Sequence, residues 1–153
     1  MVRTANREDA PLLARMLHDF NTEFGDPTPG PEVLSRRIEA YIEDGRKTFL
    51  LGGPEEGAER GFAQVSFNPS IWADEPVGLL EELYVVPDRR GEGVGRELME
   101  ALLALARERG AAGMEVITGE SDTAARGLYE SVGFRNDVEG EERSRSLFYE
   151  LDL

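Results

Sequence analysis

The 153-residue sequence has no cysteine, a single histidine, a single lysine and no apolar run near the roughly 18 residues that a membrane-spanning helix needs. Without thiols, disulfides, thiolate metal sites and a covalent thioester intermediate on the protein are excluded. The lone His18 argues against a zinc cluster or a Ser-His catalytic pair, so no metal is expected. The opening residues MVRTANREDA lack the hydrophobic stretch of a signal peptide. The chain therefore reads as a soluble, cytoplasmic protein with no membrane partner. Basic residues are also scarce: a net charge of -14 opposes nucleic-acid binding, which needs a surplus of lysine and arginine. Such acidity suits a cationic partner, and it also serves solubility.

The length fits one domain, taken as 1–153, with strands and helices interleaved and no repeat. A short strand near 2–5 precedes a helix that Asn6 can cap, with an apolar stripe of Leu13, Met16, Leu17, Phe20 and Phe24. GDPTPGP ends it, and Pro31 suits the first turn of a second helix that carries Val33, Leu34, Ile38, Tyr41 and Ile42 as far as Gly45. KTFLLGG and GFAQVSF flank a turn-rich segment and predict a hairpin. A further strand over 77–86, a helix over 95–110, the strand MEVIT, a short helix near 122–132 and closing strands at GFRN and RSLFYELDL complete the pattern. A helix between two strands implies one parallel pairing in a sheet that is otherwise antiparallel.

Between the strand ending at Val86 and the next helix lies PDRRGEGVGR. Glycines at 91, 93 and 95 let a ligand approach the backbone, and a helix start offers unpaired N–H groups at the positive end of a dipole. With Arg89, Arg90 and Arg96 alongside, this is an anion cradle suited to a phosphorylated ligand. It lacks the Gly-Lys-Ser/Thr of a Walker loop, and Arg96 and Leu98 stand where a dinucleotide fingerprint needs its third glycine.

Arg90, Gly93 and Gly95 match the Arg/Gln-x-x-Gly-x-Gly/Ala acyl-CoA loop of the GCN5-related N-acetyltransferase (GNAT) superfamily, which the sequence resembles. LEELYVVP looks like the strand before that loop, and Ala125, Leu128, Tyr129, Gly133 and Phe134 match the family's A-x-x-L-Y-x-x-x-G-F signature, so the motif coverage runs from Leu79 to Phe134. The resemblance implies an α/β fold with a mixed central sheet of six to seven strands, about four helices on its two faces, and a splay after the fourth strand that holds acetyl-CoA. Backbone N–H groups of Gly91, Glu92, Gly93, Val94, Gly95 and Arg96 would hold the pyrophosphate. The pantetheine arm would run beside Leu83 and Val85, the Val85 amide would donate to the thioester carbonyl, and Tyr129 would protonate the departing thiolate. Asp122 replaces an asparagine common in the family: it can still cap the helix, but an ionised carboxylate cannot donate to the pantetheine arm.

An attacking alkylamine, with a pKa of about 10.4, must lose a proton, so a base is required. Glu81 and Glu82 interrupt apolar rows of the strand. Strand alternation puts Glu81 with Leu79, Leu83 and Val85, and Glu82 with Leu80, Tyr84 and Val86, and a bulge would exchange the faces. Partial burial would lift either carboxyl toward a useful range. By the resemblance, an acid in the fourth strand serves as base through water, with Glu81 the first choice and Glu82 the second.

In the family, the loop between the first two helices and the loop before the fourth strand border the acceptor. Here they supply Glu23, Asp26, Asp74 and Glu75 with Phe20, Phe24 and Trp72, a set suited to a cationic small-molecule amine, with Phe24, Trp72 and Glu81 as binding residues. Lys47, the only lysine, and His18 have no assigned role and read as surface residues. The expected activity is transfer of the acetyl group of acetyl-CoA to a primary amine by direct attack in a ternary complex. The alternatives are a peptide or protein N-acetyltransferase, a non-catalytic acyl-CoA-binding regulatory module and, more weakly, a nucleotide-binding domain. Homodimers are common in the family, though no interface is fixed by the sequence.

Overall fold

A computed structural model describes residues 1–55, 57–137, 147 and 149–153 of the chain. It divides into two compact units, 1–116 and 117–153. In the first, β1 (Val2–Thr4), β2 (Thr48–Gly52), β3 (Gly61–Asn68), β4 (Val77–Val85) and β5 (Gly113–Val116) form one sheet in sequence order. All neighbours pair antiparallel except β4 and β5, which the helix α3 (Val94–Glu108) connects in parallel. The α/β class, the mixed sheet, the hairpin and the parallel pair are as the sequence implies. The described residues carry five strands in this sheet, where six to seven were expected.

Asn6 caps a 3-10 turn, Arg7–Asp9, through a reciprocal pair of bonds with Asp9, and this turn leads into α1 (Ala10–Glu23). α2 (Pro31–Glu43) begins on Pro31, whose missing N–H costs nothing at that position. Both helices lie on one face of the sheet. Leu13, Ala14, Met16 and Ile38 are buried in one cluster with Phe49, Leu51, Phe62 and Tyr84. α3 takes the other face, where Leu98 reaches the paired Gly52 and Gly61, which share that face with the paired Leu50 and Ala63. Phe24, the last residue of the expected α1 stripe, follows the end of the helix at Glu23 and is 62% exposed.

The packing between β3 and β4 leaves no room at Gly61. A Cβ there would stand 2.4 Å from the Tyr84 carbonyl oxygen and 3.2 Å from the Val85 Cα. Both obstacles are backbone, so relief requires the strands to move. Gly61→Ala is expected to lower stability by about 1–3 kcal/mol, the usual range for overpacking, and thermal unfolding followed by circular dichroism measures it.

β4 departs from simple alternation. Gln64 pairs with Glu82 and Val65 with Leu80, so Glu81 is an extra residue in β4, a β-bulge. Opposed residues share a face, which puts Leu79, Glu82 and Tyr84 on the side of Ser66, Gln64 and Phe62, and Leu80, Leu83 and Val85 on the α3 side with Val65, Ala63 and Gly61. The expected grouping of Leu79 with Leu83 and Val85 is therefore corrected, as is that of Leu80 with Glu82 and Tyr84.

In the second unit, α4 (Thr123–Ser131) is capped by Asp122, whose carboxylate accepts from the Ala125 N–H at 3.0 Å. GFRN is not a strand. The N–H groups of Gly133 and Phe134 close the helix end on the carbonyls of Glu130 and Tyr129, and Gly133 takes φ +103°, which suits a helix stop. Of the closing strand expected over 145–153, positions 145, 146 and 148 lie outside the described residues, while Leu147 and 149–153 are exposed and take no strand conformation. No helix among the described residues is long and apolar enough to cross a membrane.

Candidate functional site

Among the described residues, the C-terminal half of β4 has one edge without a strand. Pairing with β5 runs from Val77–Gly113 to Leu80–Val116 and goes no further. On the opposite edge the Val86 N–H donates to the Arg60 carbonyl at 2.9 Å, in register with the Tyr84–Phe62 and Val85–Gly61 pairs. Backbone N–H direction alternates along a strand, so Tyr84 also donates toward β3, while Leu83 and Val85 direct their N–H groups to the edge beyond the end of the β5 ladder. These are the two residues expected to face the pantetheine arm. An extended chain laid there could add to the sheet as a strand does.

After β4, Pro87–Arg89 form a single 3-10 turn, and α3 starts at Val94 with Gly93 as its N-cap. Gly91 and Gly93 have φ of +81° and +91°, and no side chain caps the helix, so its first N–H groups point outward. The backbone of Gly91, Glu92, Gly93, Val94, Gly95 and Arg96, where the cradle was expected, makes the turn from β4 into the start of α3. Side chains here serve other partners. Glu92 pairs with Arg60 at 2.8 Å and with Arg89 at 3.5 Å. Arg90 turns back on the protein: its guanidinium grips both oxygens of Glu23 at 2.6 and 2.7 Å, its Nε donates to the Val85 carbonyl at 3.0 Å, and it lies over the Tyr84 ring. Its hydrogen bonds hold the Glu23 carboxyl below the usual range. Glu23, expected beside the acceptor, is thereby committed to the loop.

Because Gly93 sits in the left-handed region, any side chain there is strained even though the space around it is open. Gly93→Val is expected to lower stability by about 1–3 kcal/mol through local strain and to weaken acetyl-CoA binding at least about tenfold; a melting curve measures the first effect and titration calorimetry the second.

The bulge brings both strand carboxylates to the α1/α2 face. Glu81 accepts from Lys47 Nζ and Gln64 Nε2, and Lys47, directly before β2, is opposite Ser66 when the register is extended. Burial alone would raise the Glu81 carboxyl, but bonds from Lys47, Ser66 and Gln64 outweigh it and hold it below its ordinary value. Glu82 goes the other way. Burial, then the adjacent Glu81 charge, push its carboxyl up, and Lys47 offsets only part. Adjacent residues of one type therefore differ in proton affinity, and the more basic is the second choice of the sequence reading.

Sequence reasoning left Lys47 on the surface; it is half-buried against Glu81 and 5.3 Å from the Tyr41 ring. The available signal was a single lysine opening an apolar strand, with Gln64 and Ser66 as polar residues in the next one. His18 is also engaged, with Nδ1 at 2.5 Å from Thr28 Oγ1 in the loop between α1 and α2. Ring contacts among the described residues join Phe24 to Phe20 and Phe20 to Tyr84, and none reaches Trp72, which is 94% exposed on the loop before β4. The two aromatic residues proposed for the acceptor are thus not brought together.

In the second unit Tyr129 is buried, its ring 6.0 Å from that of Phe134, and Asp122 spends its carboxylate on the helix cap.

The profile of the acetyltransferase (GNAT) family matches residues 13–134. An aminoglycoside N(6')-acetyltransferase type 1 of Stenotrophomonas maltophilia is 27% identical over 155 residues, covering 99% of this chain and 93% of its own. An uncharacterised N-acetyltransferase, YhfO of Bacillus subtilis, is 27% identical over 137 residues, with 90% and 91% covered. Among solved structures, one from Arthrobacter sp. FB24 assigned to the acetyltransferases superposes with a TM-score of 0.90 at 41% identity, covering 100% of this chain and 96% of that one.

Proposed function

The chain belongs to the GNAT acetyltransferase family and is an acetyl-CoA-dependent N-acetyltransferase, and from that premise we propose that its acceptor is the primary amine of a cationic small molecule, attacked directly in a ternary complex. The observation that carries this reading is the pair of carboxylates at the β4 bulge, two residues from an outward N–H edge. An ammonium is drawn to Glu81 and sheds one proton to water, and Glu82 has the proton affinity to take the second as the nitrogen adds to the carbonyl, directly or through water. Asp26, Asp74 and Glu75 on exposed loops add to the attraction, and a chain with no cysteine has no acyl-thiol route. The aminoglycoside relative supports a polycationic acceptor.

In the proposed reaction the amine nitrogen attacks the thioester carbonyl carbon. The Leu83 and Val85 amides orient the acyl arm, and an N–H aimed at the developing oxyanion contributes on the order of 3 kcal/mol in such sites. Glu82 receives the amine proton, the C–S bond breaks, and Tyr129 gives its hydroxyl proton to the departing thiolate. Phe24 and Trp72 supply exposed aromatic faces on the loops flanking the acceptor, each acting separately.

CoA release from acetyl-CoA, followed with a thiol reagent that meets no protein thiol, tests the acceptor class across polyamines, aminoglycosides, amino acids and short peptides. Turnover is expected with polyamines or aminoglycosides. Preference for peptides would replace the small-molecule reading with a peptide or protein acetyltransferase. Acetyl-CoA binding without turnover of any amine would favour a regulatory acyl-CoA-binding module.

A further inference from the structure

We propose that Lys47 is a positioning residue that divides the work of the two adjacent glutamates: by taking Glu81 as its ion-pair partner, it leaves Glu82 to accept the proton of the acceptor amine. The proposal rests on the acetyltransferase reading above. Its basis is geometric. The bulge turns Glu81 to the face that Glu82 occupies, where two like charges on consecutive residues would each oppose the ionisation of the other. Lys47 Nζ contacts Glu81 Oε2, and Gln64 Nε2 donates to the same oxygen. With a cation and two polar neighbours on one carboxylate, the shared charge is settled at Glu81.

The groups around the pair come from four elements. Lys47 enters from the start of β2, Gln64 and Ser66 from β3, Glu81 lies beside Glu82 on β4, and the Tyr41 ring of α2 carries Lys47 Nζ at 5.3 Å and the Arg46 guanidinium at 5.0 Å. Lys47 is thus held between the Glu81 carboxylate and an aromatic face. Lys47 touches no reacting atom in this scheme; it acts through Glu81.

The arrangement makes two opposite forecasts. Removing the Lys47 charge leaves both carboxylates uncompensated, so Glu82 should protonate at higher pH. Removing the Glu81 charge relieves repulsion and frees Lys47 for Glu82, so Glu82 should protonate at lower pH. A residue that merely supported the fold would lower activity in both cases without moving either titration.

The experiment is a pH titration by NMR of protein labelled with carboxyl-13C glutamate, with the two signals identified from Glu81→Gln and Glu82→Gln. In the unaltered protein Glu82 should titrate above Glu81. Its midpoint should rise by about one pH unit in Lys47→Gln, stay put in Lys47→Arg and fall by about as much in Glu81→Gln. The acid limb of CoA release should follow the same signs. An unmoved midpoint, or movement in one direction in both neutral variants, overturns the proposal. Should Lys47→Gln not fold, Lys47→Arg and Glu81→Gln still test the sign. The titration needs no acyl donor or acceptor, so it decides the role of Lys47 separately from the amine panel, whose failure would overturn the acceptor reading alone.

Discussion

Glu82→Gln should lower kcat/KM by a factor of roughly 10² to 10⁴, the range a positioned general base supplies, and should abolish the acid limb of the pH profile. The sign follows from the environment of the carboxyl. Burial and the neighbouring Glu81 charge raise its proton affinity, so the base is empty only above a pH higher than that of a free glutamate, and activity climbs with pH through that point. Below it, each unit of acidity removes about tenfold of the active form. Glutamine keeps the shape and cannot accept the proton, and it also removes a partly buried charge, so the melting temperature should not fall. Glu81→Gln gives the necessary contrast: its carboxyl is held ionised by Lys47, and its loss should affect acceptor binding more than the chemical step. Steady-state kinetics of both variants across pH on one panel amine checks this. A Glu82→Gln enzyme with full activity and an intact acid limb would return the role of base to Glu81 or to water.

The second large effect is expected at Tyr129. Tyr129→Phe removes only the hydroxyl. The ring still fills its buried position beside Phe134, and α4 keeps its Asp122 cap. Acetyl-CoA affinity should therefore be retained while kcat falls by about a hundredfold or more, the pattern for an interaction made only in the transition state. An acyl donor with a thiol of lower pKa needs less help in leaving, so the defect should shrink with such a thioester. Calorimetry with acetyl-CoA and kinetics with both donors decide the matter. Equal defects for the two donors would place Tyr129 in packing instead of proton transfer.

Most of the frame was legible in the sequence because it depends on local signals. Period-2 alternation in GFAQVSF, the Pro31 helix start, the glycine spacing after Val86 and the Asp122 cap each have a short-range physical cause, and each element formed where that cause lies. What could not be read depends on pairing. A bulge is a mismatch between two strands, so no property of LLEELYV by itself reveals that Glu81 is the surplus residue. The same holds for Lys47 and Glu23. Their partners lie 34 and 67 positions away, and an ion pair leaves no periodic trace in the chain. Trp72 shows the same limit from the other side: nothing in NPSIWADEP tells that its ring stands exposed and makes no ring contact with Phe24 among the described residues.

The bulge also bears on how the chain tolerates change in length. Nine residues of β4 span eight of β3, and the surplus residue falls where the β5 ladder has just ended. Deleting it would leave eight residues against eight, and every pair from Leu80–Val65 to Val85–Gly61 could keep its partner and its face, so the loss would fall on Glu81 and its Lys47 contact. The bulge at Glu81 is therefore the place where β4 can shed a residue without re-sorting its faces. A deletion elsewhere in the strand would close the bulge as well, and would turn the residues between the cut and Glu81 to the opposite face.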